Sequence, residues 1–221
     1  LEEVSSIGVA CSGGADSLAL TILLKKWTQD QGKTLVAFHV DHKLRDTSSR
    51  EAQILKGWLE NYNISHEILT WNHNGITARI QERAREARYE LVAEAARRHS
   101  IQHIFLAHHQ NDQEETFWMR LSKGSGTKGL ASIAPKTQKS EMNYLRPLLN
   151  VHPEQLRMYL NSIEQSWIQD PSNTNTKYLR IRLRSLLEEE GYSPEILNKT
   201  LSKLRDDSDY IETQVSLWIS E

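Results

Sequence analysis

The sequence predicts an α/β protein with a doubly wound, mainly parallel five-stranded sheet, helices on both of its faces and a helical C-terminal subdomain. Short apolar runs alternate with stretches of helical period between residues 7 and 147, a pattern typical of a parallel sheet wrapped by helices. After Pro147 the period is helical throughout. We therefore expect a sheet domain over residues 1–150 and a helical subdomain or linker arm over residues 151–221.

The predicted strands are short apolar runs, and each of the first four precedes a stretch of helical period. They are placed at Ile7–Cys11, Leu35–Val40, Ser65–Trp71, Ile104–Ala107 and Tyr144–Leu145. Such runs are typical of strands covered on both faces. A glycine-rich loop at Gly124–Gly129 and a polar stretch at Lys136–Asn143 precede the last predicted strand.

The predicted helices have readable ends and one clear apolar face. Ser48 and Glu51 have the spacing of a capping box, and Pro153 suits a first helical position. The third helix repeats apolar residues from Ile80 to Ala95 at helical spacing, so we expect that face to pack on the sheet. The helices are placed at Ser17–Gln29, Ser49–Tyr62, Ala78–His99 and Gln113–Ser122, and then at about 152–165, 176–190 and 194–219.

Composition excludes several classes of protein. A hydrophobic fraction of 38% supplies a core, which excludes a disordered chain, and no apolar run is long enough to span a membrane. A single cysteine, Cys11, excludes an internal disulfide and a cysteine-ligated cluster. The net charge of −2 excludes a general basic field, so any contact with RNA must be local. We expect a cytoplasmic protein, and a trimmed or partial chain because it opens at Leu1 and closes within a helical pattern.

A glycine and serine run joins the first strand to the first helix. Two adjacent glycines let the backbone approach a ligand, and the N–H groups of a helix N-terminus favour an anion such as phosphate. An aspartate in such a turn suits a hard cation, Mg²⁺, that accompanies the phosphates. The plain alternative is an ordinary tight turn. The residues of this predicted phosphate loop are Ser12, Gly13, Gly14, Ala15, Asp16 and Ser17, with Asp16 as the magnesium candidate.

The loop resembles the pyrophosphate-binding loop of the ATP pyrophosphatases, which cleave ATP between its α and β phosphates to adenylate a substrate. It lacks the lysine and the spacing of a Walker loop. Further motifs narrow the resemblance, since their set and order are similar to those of the tRNA(Ile)-lysidine synthetase family. These motifs are Val40-Asp41-His42-Lys43-Leu44-Arg45, the run from Glu82 to Tyr89, the run from Ala107 to Thr116, Lys123-Gly124-Ser125-Gly126-Thr127-Lys128-Gly129-Leu130, Arg146-Pro147-Leu148-Leu149 and Asp170-Pro171-Ser172-Asn173.

Several polar residues follow predicted strands, where parallel sheets bind ligands. Asp41 and His108 fall just past such strand ends, as Ser12 of the phosphate loop does. The histidines His108 and His109 either cap the strand or handle phosphate and amine. Asp112 and Glu115 would share a helix face and hold the ammonium of a lysine, or else they supply ordinary acidity at a helix N-terminus.

Arginines and glycines add candidates for substrate binding. Arg85 and Arg88, three apart on one helix, can grip phosphate oxygens, although such a run is often a solvated face. The family resemblance favours phosphate or RNA contacts for both. The same resemblance suggests that the glycine-rich loop faces the substrate. It also suggests that the basic residues around Arg180 and Arg184 contact RNA, although an exposed helix face explains them equally well. The further candidates are Tyr89, Gly124, Gly126, Gly129, Arg180 and Arg184.

The resemblance implies an ATP- and Mg²⁺-dependent ligase that modifies an isoleucine tRNA with a CAU anticodon. Such an enzyme adenylates the oxygen on carbon 2 of the wobble cytidine, releases pyrophosphate and lets the ε-amine of L-lysine displace AMP. Lysidine then pairs with adenine, which switches the codon from AUG to AUA. The implied catalytic residues are Asp16, Asp41, Arg88, His109, Asp112 and Glu115, and those at ATP are the phosphate loop and His108.

The chain differs from the family pattern at two positions, and three other functions are alternatives to the lysidine synthetase interpretation. The family often has two aspartates where this chain has Asn111-Asp112, and Ile181 replaces a usual asparagine. A tRNA thiolation enzyme would need paired cysteines, and an amide synthetase would not carry the later motifs. A module that binds ATP without turnover is the rival from another class. The sequence leaves the assembly open, with a homodimer as one candidate.

Overall fold

A six-stranded sheet organises the computed structural model, which describes residues 4–43, 47–72, 80–169 and 194–220. The strands are β1 (Ser6–Ala10), β2 (Thr34–Asp41), β3 (Ser65–Thr70), β4 (His103–Phe105), β5 (Lys136–Lys139) and β6 (Met142–Leu145). Their order is β3-β2-β1-β4-β6-β5, and every pairing is parallel except that of β5 with β6. The chain adds β2 and β3 on one side of β1 and then continues with β4 on the other side, so the strand order reverses between β1 and β4. Open α/β sheets bind ligands at such a switch point.

Seven helices connect and follow the strands in the described part of the chain. They are α1 (Ala15–Asp30), α2 (Ser48–Asn61), α3 (Ile80–Arg98), α4 (Gln110–Leu121), α5 (Thr127–Leu130), α6 (Pro153–Ser162) and α7 (Pro194–Ser220). Pro153 takes the first position of α6, as expected. The helix predicted at 176–190 lies outside the described residues.

The sheet core confirms the predicted α/β class. Every residue of β2 after Thr34 is buried, as expected for a strand covered on both faces. On one face, Val36, Phe38 and Val40 pack in a cluster with apolar residues of α3, including Val92 and Ala96. The predicted apolar face of this helix is therefore the one that contacts the sheet.

The predicted strand count of five is wrong, because the polar stretch before β6 forms the edge strand β5. All four residues of β5 are exposed, so the strand has no apolar pattern that sequence could reveal. A two-residue hairpin turn joins β5 to β6, with positive φ at Ser140 (48°) and Glu141 (65°). Such turns favour asparagine and glycine, and Ser-Glu gives no comparable signal.

The described chain divides into two compact units that interleave along the sequence. Unit 1 contains residues up to Ala107, Lys136–Pro147 and Glu154–Gln169, and it holds the whole sheet with α1, α2 and α3. Among the described residues, unit 2 contains His108–Pro135, Leu148–Pro153 and α7. Within unit 2, Leu197 and Leu201 of α7 pack against Phe117 of α4. The domain boundary predicted near residue 150 stays a prediction.

Candidate functional site

The loop between β1 and α1 brings the predicted phosphate-binding residues together in unit 1. Gly13 has a φ of +85°, a conformation that glycine adopts without strain. Gly14 is the N-cap of α1 and provides no side-chain acceptor for the first N–H groups of the helix. Those groups, at Ala15 to Ser17, have no partner within a helix. The turn therefore offers donors and a positive dipole end to an anion.

Two serine hydroxyl groups brace this loop from within. The hydroxyl groups of Ser12 and Ser17 lie 3.0 Å apart, and the Ser12 N–H donates to Ser17 Oγ at 3.1 Å. Ser17 Oγ also donates to the carbonyl of Gly14 at 3.1 Å. Because these bonds join the two ends of the turn, they hold its conformation before any ligand arrives.

Ile168 covers Gly13 from a distant part of the chain. Its N–H donates to the Gly13 carbonyl at 2.9 Å, and its Cδ1 lies 2.5 Å from the position that a Cβ on Gly13 would take. A side chain at position 13 would therefore collide with Ile168. Sequence reasoning missed this residue, because nothing in the sequence marks an isoleucine after α6 as a neighbour of the loop.

The end of β2 places two titratable side chains beside the strand that carries the loop. His39 is 8% exposed and its Nδ1 lies 2.9 Å from the Cys11 carbonyl oxygen. Burial lowers the pKa of His39, because an imidazolium is costly to desolvate. His39 is thus a packed histidine.

Asp41 anchors the segment that leads from β2 to α2. Its carboxylate accepts hydrogen bonds from the N–H of Lys43 at 2.9 Å and the hydroxyl of Ser49 at 3.0 Å. Burial raises the pKa of Asp41, but the hydrogen bonds from Lys43, Ser48 and Ser49 outweigh burial and leave the pKa below its ordinary value. The capping box predicted from Ser48 and Glu51 is wrong, because Thr47 and not Ser48 is the N-cap of α2. The Thr47 hydroxyl donates to the Glu51 carboxylate.

We expect the Asp41→Asn variant to be about 1–3 kcal/mol less stable than the parent at pH 7, since hydrogen bonds to a carboxylate are lost. The folded pKa lies below the unfolded value of about 3.9, so this contribution is complete above about pH 4 and is lost as the pH falls through the folded pKa. Urea unfolding at a series of pH values measures it. Asp30→Asn, at an exposed position, is the control. A stability gap that persists unchanged at pH 2 would contradict the prediction.

The predicted α3 residues lie on one exposed stretch of that helix in unit 1. Arg85 and Arg88 are exposed and Tyr89 is half-buried. The guanidinium carbon of Arg85 lies 5.6 Å from the centre of the Tyr89 ring, within cation–π range. Arg85 thus contacts the ring of Tyr89. The roles of Arg85, Arg88 and Tyr89 in binding a substrate stay predictions.

The predicted histidines and acids begin unit 2. His109 is the N-cap of α4, and the Asp112 carboxylate accepts its N–H at 2.8 Å and lies 3.4 Å from its Nδ1. Asp112 therefore caps the helix, and its contact with the ammonium of a lysine stays a prediction. Glu115 follows one turn later and His108 precedes the cap. Their catalytic or ATP-binding roles stay predictions.

The glycine loop after α4 is ordered by side chains that sequence reasoning missed. Gly124 has a φ of +69°, and a Cβ on Gly129 would lie 2.7 Å from that of Ser125. The fully buried Gln113 bonds both backbone groups of Ile133, at 3.0 and 2.8 Å. Arg120 donates to the carbonyls of Gly129 and Ser132. No local pattern in the sequence marks Gln113 or Arg120 as a partner of this loop.

Some predictions lie beyond what the structure describes. Arg180 and Arg184 fall outside the described residues. Within the described ranges, no three histidine, cysteine or acidic side chains cluster as an all-protein metal site requires. No helix of the described chain is long and apolar enough to cross a membrane.

Comparison with known proteins adds a family and several relatives. A family model described as a PP-loop domain matches residues 2–190. The chain is 36% identical to a tRNA(Ile)-lysidine synthase from Orientia tsutsugamushi over 206 residues, covering 90% of this chain and 46% of that protein. It is 39% identical to a protein of the same name from Bradyrhizobium sp., over 89% of this chain and 56% of that one. The chain thus spans about half the length of the curated relatives it matches.

A solved structure shares the fold. The U34-tRNA thiolase NcsA from Methanococcus maripaludis, determined with its [4Fe-4S] cluster, superposes with a TM-score of 0.76 over 91% of this chain and 72% of that chain. The two sequences are 13% identical, so the likeness concerns the fold alone.

Proposed function

Since the chain belongs to the family of PP-loop domains, we propose that it uses ATP to join L-lysine to the wobble cytidine of an isoleucine tRNA with a CAU anticodon. The arrangement of the loop from Ser12 to Ser17 carries this proposal, because it offers braced backbone donors to a phosphate at the switch point of the sheet. The relatives named tRNA(Ile)-lysidine synthase support the choice of substrates.

In the first step, the oxygen on carbon 2 of cytidine attacks the α-phosphorus of ATP and pyrophosphate leaves. The chain contributes positioning and electrostatic stabilisation. The N–H groups at the start of α1 hold the phosphates, and the serine bonds keep those groups aligned. Arg88 and Arg85 are the proposed contacts for further phosphate oxygens.

Asp16 is the proposed partner of Mg²⁺. It occupies the first turn of α1, is half-buried and stands among donors that suit phosphate. Because the described residues contain no cluster of three ligating side chains, the ion would be shared between Asp16, water and phosphate oxygens, as is usual for Mg²⁺. When bound, Mg²⁺ neutralises charge on the phosphates.

In the second step, the neutral ε-amine of lysine attacks carbon 2 and AMP leaves. The amine must first lose a proton. Asp112 and Glu115 are the proposed attractors of the lysine ammonium, and His109 is the proposed acceptor of the proton, since its ring lies beside Asp112. Asp41 is proposed to order the segment after β2 rather than to react.

The rival thiolation chemistry finds no support in the cysteine. Cys11 is 1% exposed, and burial raises the pKa of its thiol. A buried thiol is protonated and inert. A sulfur-transferring nucleophile would need the opposite environment.

The test is the release of pyrophosphate and AMP by this chain with ATP, L-lysine and the unmodified isoleucine tRNA, each omitted in turn. We expect pyrophosphate release to require ATP and tRNA, and AMP release to require lysine as well. A methionine tRNA with the same anticodon is the matched control. If ATP binds but no tRNA-dependent pyrophosphate appears, the chain is an ATP-binding module without turnover.

A further inference from the structure

One arginine of α7 is hydrogen-bonded to the end of the segment that carries the glycine loop, Gly124–Gly129. We propose that Arg205 is a positioning residue: it holds the end of α5 in place and so keeps the glycine loop in the conformation that contacts the RNA substrate. The inference rests on the proposed function, because it assumes that this loop contacts RNA. Arg205 lies outside residues 2–190, which the family model matches.

The short helix in this segment is not stable by itself. α5 has four residues, and its backbone hydrogen bonds join Leu130 to Gly126 and Ala131 to Thr127, each at 2.9 Å. Its N-cap, Gly126, provides no side-chain hydrogen bond. So short a helix does not repay the free-energy cost of forming its first turn. The conformation of α5, and of the loop that contains it, must therefore be stabilised by contacts with other elements.

Two arginines from different helices supply such contacts at the C-terminal end of α5. Nη1 of Arg120, on α4, donates to the carbonyls of Gly129 at 2.7 Å and Ser132 at 3.1 Å. Nε of Arg205 donates to the Ala131 carbonyl at 3.3 Å. Cationic side chains suit these positions, since the last carbonyls of a helix lack partners within it and carry its negative dipole end. Arg120 is close to the loop in sequence, whereas Arg205 is 74 residues beyond Ala131 and joins the loop to another helix.

Apolar packing fixes the part of α7 from which this arginine extends. Leu130 of α5 and Leu204 of α7 both pack against the apolar cluster around the fully buried Leu201. Leu204 precedes Arg205 in the sequence. The backbone at Arg205 is therefore held by its neighbours, which makes the arginine a firm anchor for the Ala131 carbonyl.

Another side of α5 is not filled by packing. A cavity of about 330 Å³ lies between Gly126–Gly129 and α7, where Ser208 and Ile211 line it. The loop therefore has room to move towards α7, and packing does not fix its position on that side. The hydrogen bond from Arg205 to Ala131 opposes such a movement.

Partial burial strengthens this hydrogen bond. Arg205 is half-buried, and burial lowers the pKa of its guanidinium while Asp206 and Asp209 act in the opposite direction. An arginine nevertheless stays charged in a protein. A charged donor makes a stronger hydrogen bond than a neutral one, and solvent screens its charge less when the group is partly buried.

The expected consequence of losing Arg205 is a lower affinity for the RNA with unchanged chemistry. Without the anchor, only a fraction of the molecules holds the loop in the binding conformation, and the apparent affinity falls by that fraction. The hydrogen bond from Arg205 to Ala131 lies within unit 2 and the phosphate loop belongs to unit 1, so we expect ATP binding to be unaffected.

The experiment compares hydrogen exchange in the loop with steady-state kinetics for Arg205→Ala. The amides of Leu130 and Ala131 should exchange about tenfold faster, because their hydrogen bonds break when α5 opens. The KM for the isoleucine tRNA should rise by the same factor of about ten, with kcat and the KM for ATP unchanged. Arg205→Lys keeps the charge and should recover part of both effects. Lys203→Ala removes an exposed cation from the same helix and is the matched control, which should change neither quantity.

Several results would overturn the proposal. Unchanged exchange at Leu130 and Ala131 in Arg205→Ala would do so, as would faster exchange with an unchanged KM for the tRNA. An equal increase in exchange along the whole of α7 would show that Arg205 supports only the packing of that helix. A rise in the KM for L-lysine in place of that for the tRNA would show that the loop does not serve the RNA.

The proposed function fails in a different way, because it fails if the parent chain releases no tRNA-dependent pyrophosphate. Hydrogen exchange does not depend on turnover. The Kd of a fluorescein-labelled anticodon stem-loop RNA, measured by anisotropy, then takes the place of the KM and should rise by the same factor of about ten in Arg205→Ala. No binding of this RNA by the parent chain would also overturn the proposal.

Discussion

Replacing Gly13 with alanine should lower ATP-dependent activation about 100-fold while leaving the chain folded. The residue has a φ of +85°, and its Cβ would lie 2.5 Å from Ile168 Cδ1. The left-handed conformation costs a non-glycine residue about 1–2 kcal/mol, and the collision must be relieved by moving the loop. A displacement of about 1 Å in a positioning element can reduce a rate by about 100-fold. Pyrophosphate release and ATP binding by calorimetry measure the effect.

The control for Gly13→Ala is Gly32→Ala. Gly32 follows α1 with a φ of +63°, and nothing lies within 4 Å of its added Cβ. It should lose a similar amount of stability and keep normal activity. Adding Ile168→Ala to Gly13→Ala should recover part of the activity, because it removes the obstructing atom. Normal turnover in Gly13→Ala, or no recovery in the double variant, would contradict the role given to this contact.

The elements that sequence predicted well are those whose signal is local. The glycine and serine run follows an apolar strand and opens a helix, so the turn predicted from Ser12 to Ser17 is confirmed, while its binding of phosphate stays a prediction. Pro153 identified the start of α6 because its fixed φ and missing N–H suit a first helical position. The apolar run Leu35–Val40 predicted a strand covered on both faces, and β2 is buried accordingly.

The features that sequence missed depend on contacts between distant residues. Ile168 contacts Gly13 although most of the sequence separates the two residues. Gln113 donates a hydrogen bond to Ile133, in the loop that follows α5. No propensity encodes such pairs. β5 failed for a different reason, since an exposed edge strand carries no apolar pattern and its turn uses Ser140 and Glu141.

The acidic residue of the phosphate loop should be as sensitive as its glycine. Asp16→Ala should reduce pyrophosphate release at least about 100-fold, because removing preorganised charge stabilisation near transferring phosphates costs about 10²–10³ in rate. Its loss should cost little stability, since an acid in the first turn of a helix contributes about 0.3–1 kcal/mol. Rates are measured against Mg²⁺ concentration, and thermal unfolding is followed in parallel.

Glu154 provides the matched control for Asp16. It is also the acid in the first turn of a helix, α6, and it pairs with Arg157 at the surface. Glu154→Ala should show the same small loss of stability with an unchanged rate, so the difference between the two variants isolates the chemistry from the helix dipole. Asp16→Glu keeps the charge but moves the carboxylate, and it should retain a Mg²⁺-dependent fraction of the rate. If Asp16→Ala turns over at the parent rate with the parent dependence on Mg²⁺, Asp16 does not hold the ion, and the cation must then be bound by phosphate oxygens and water alone.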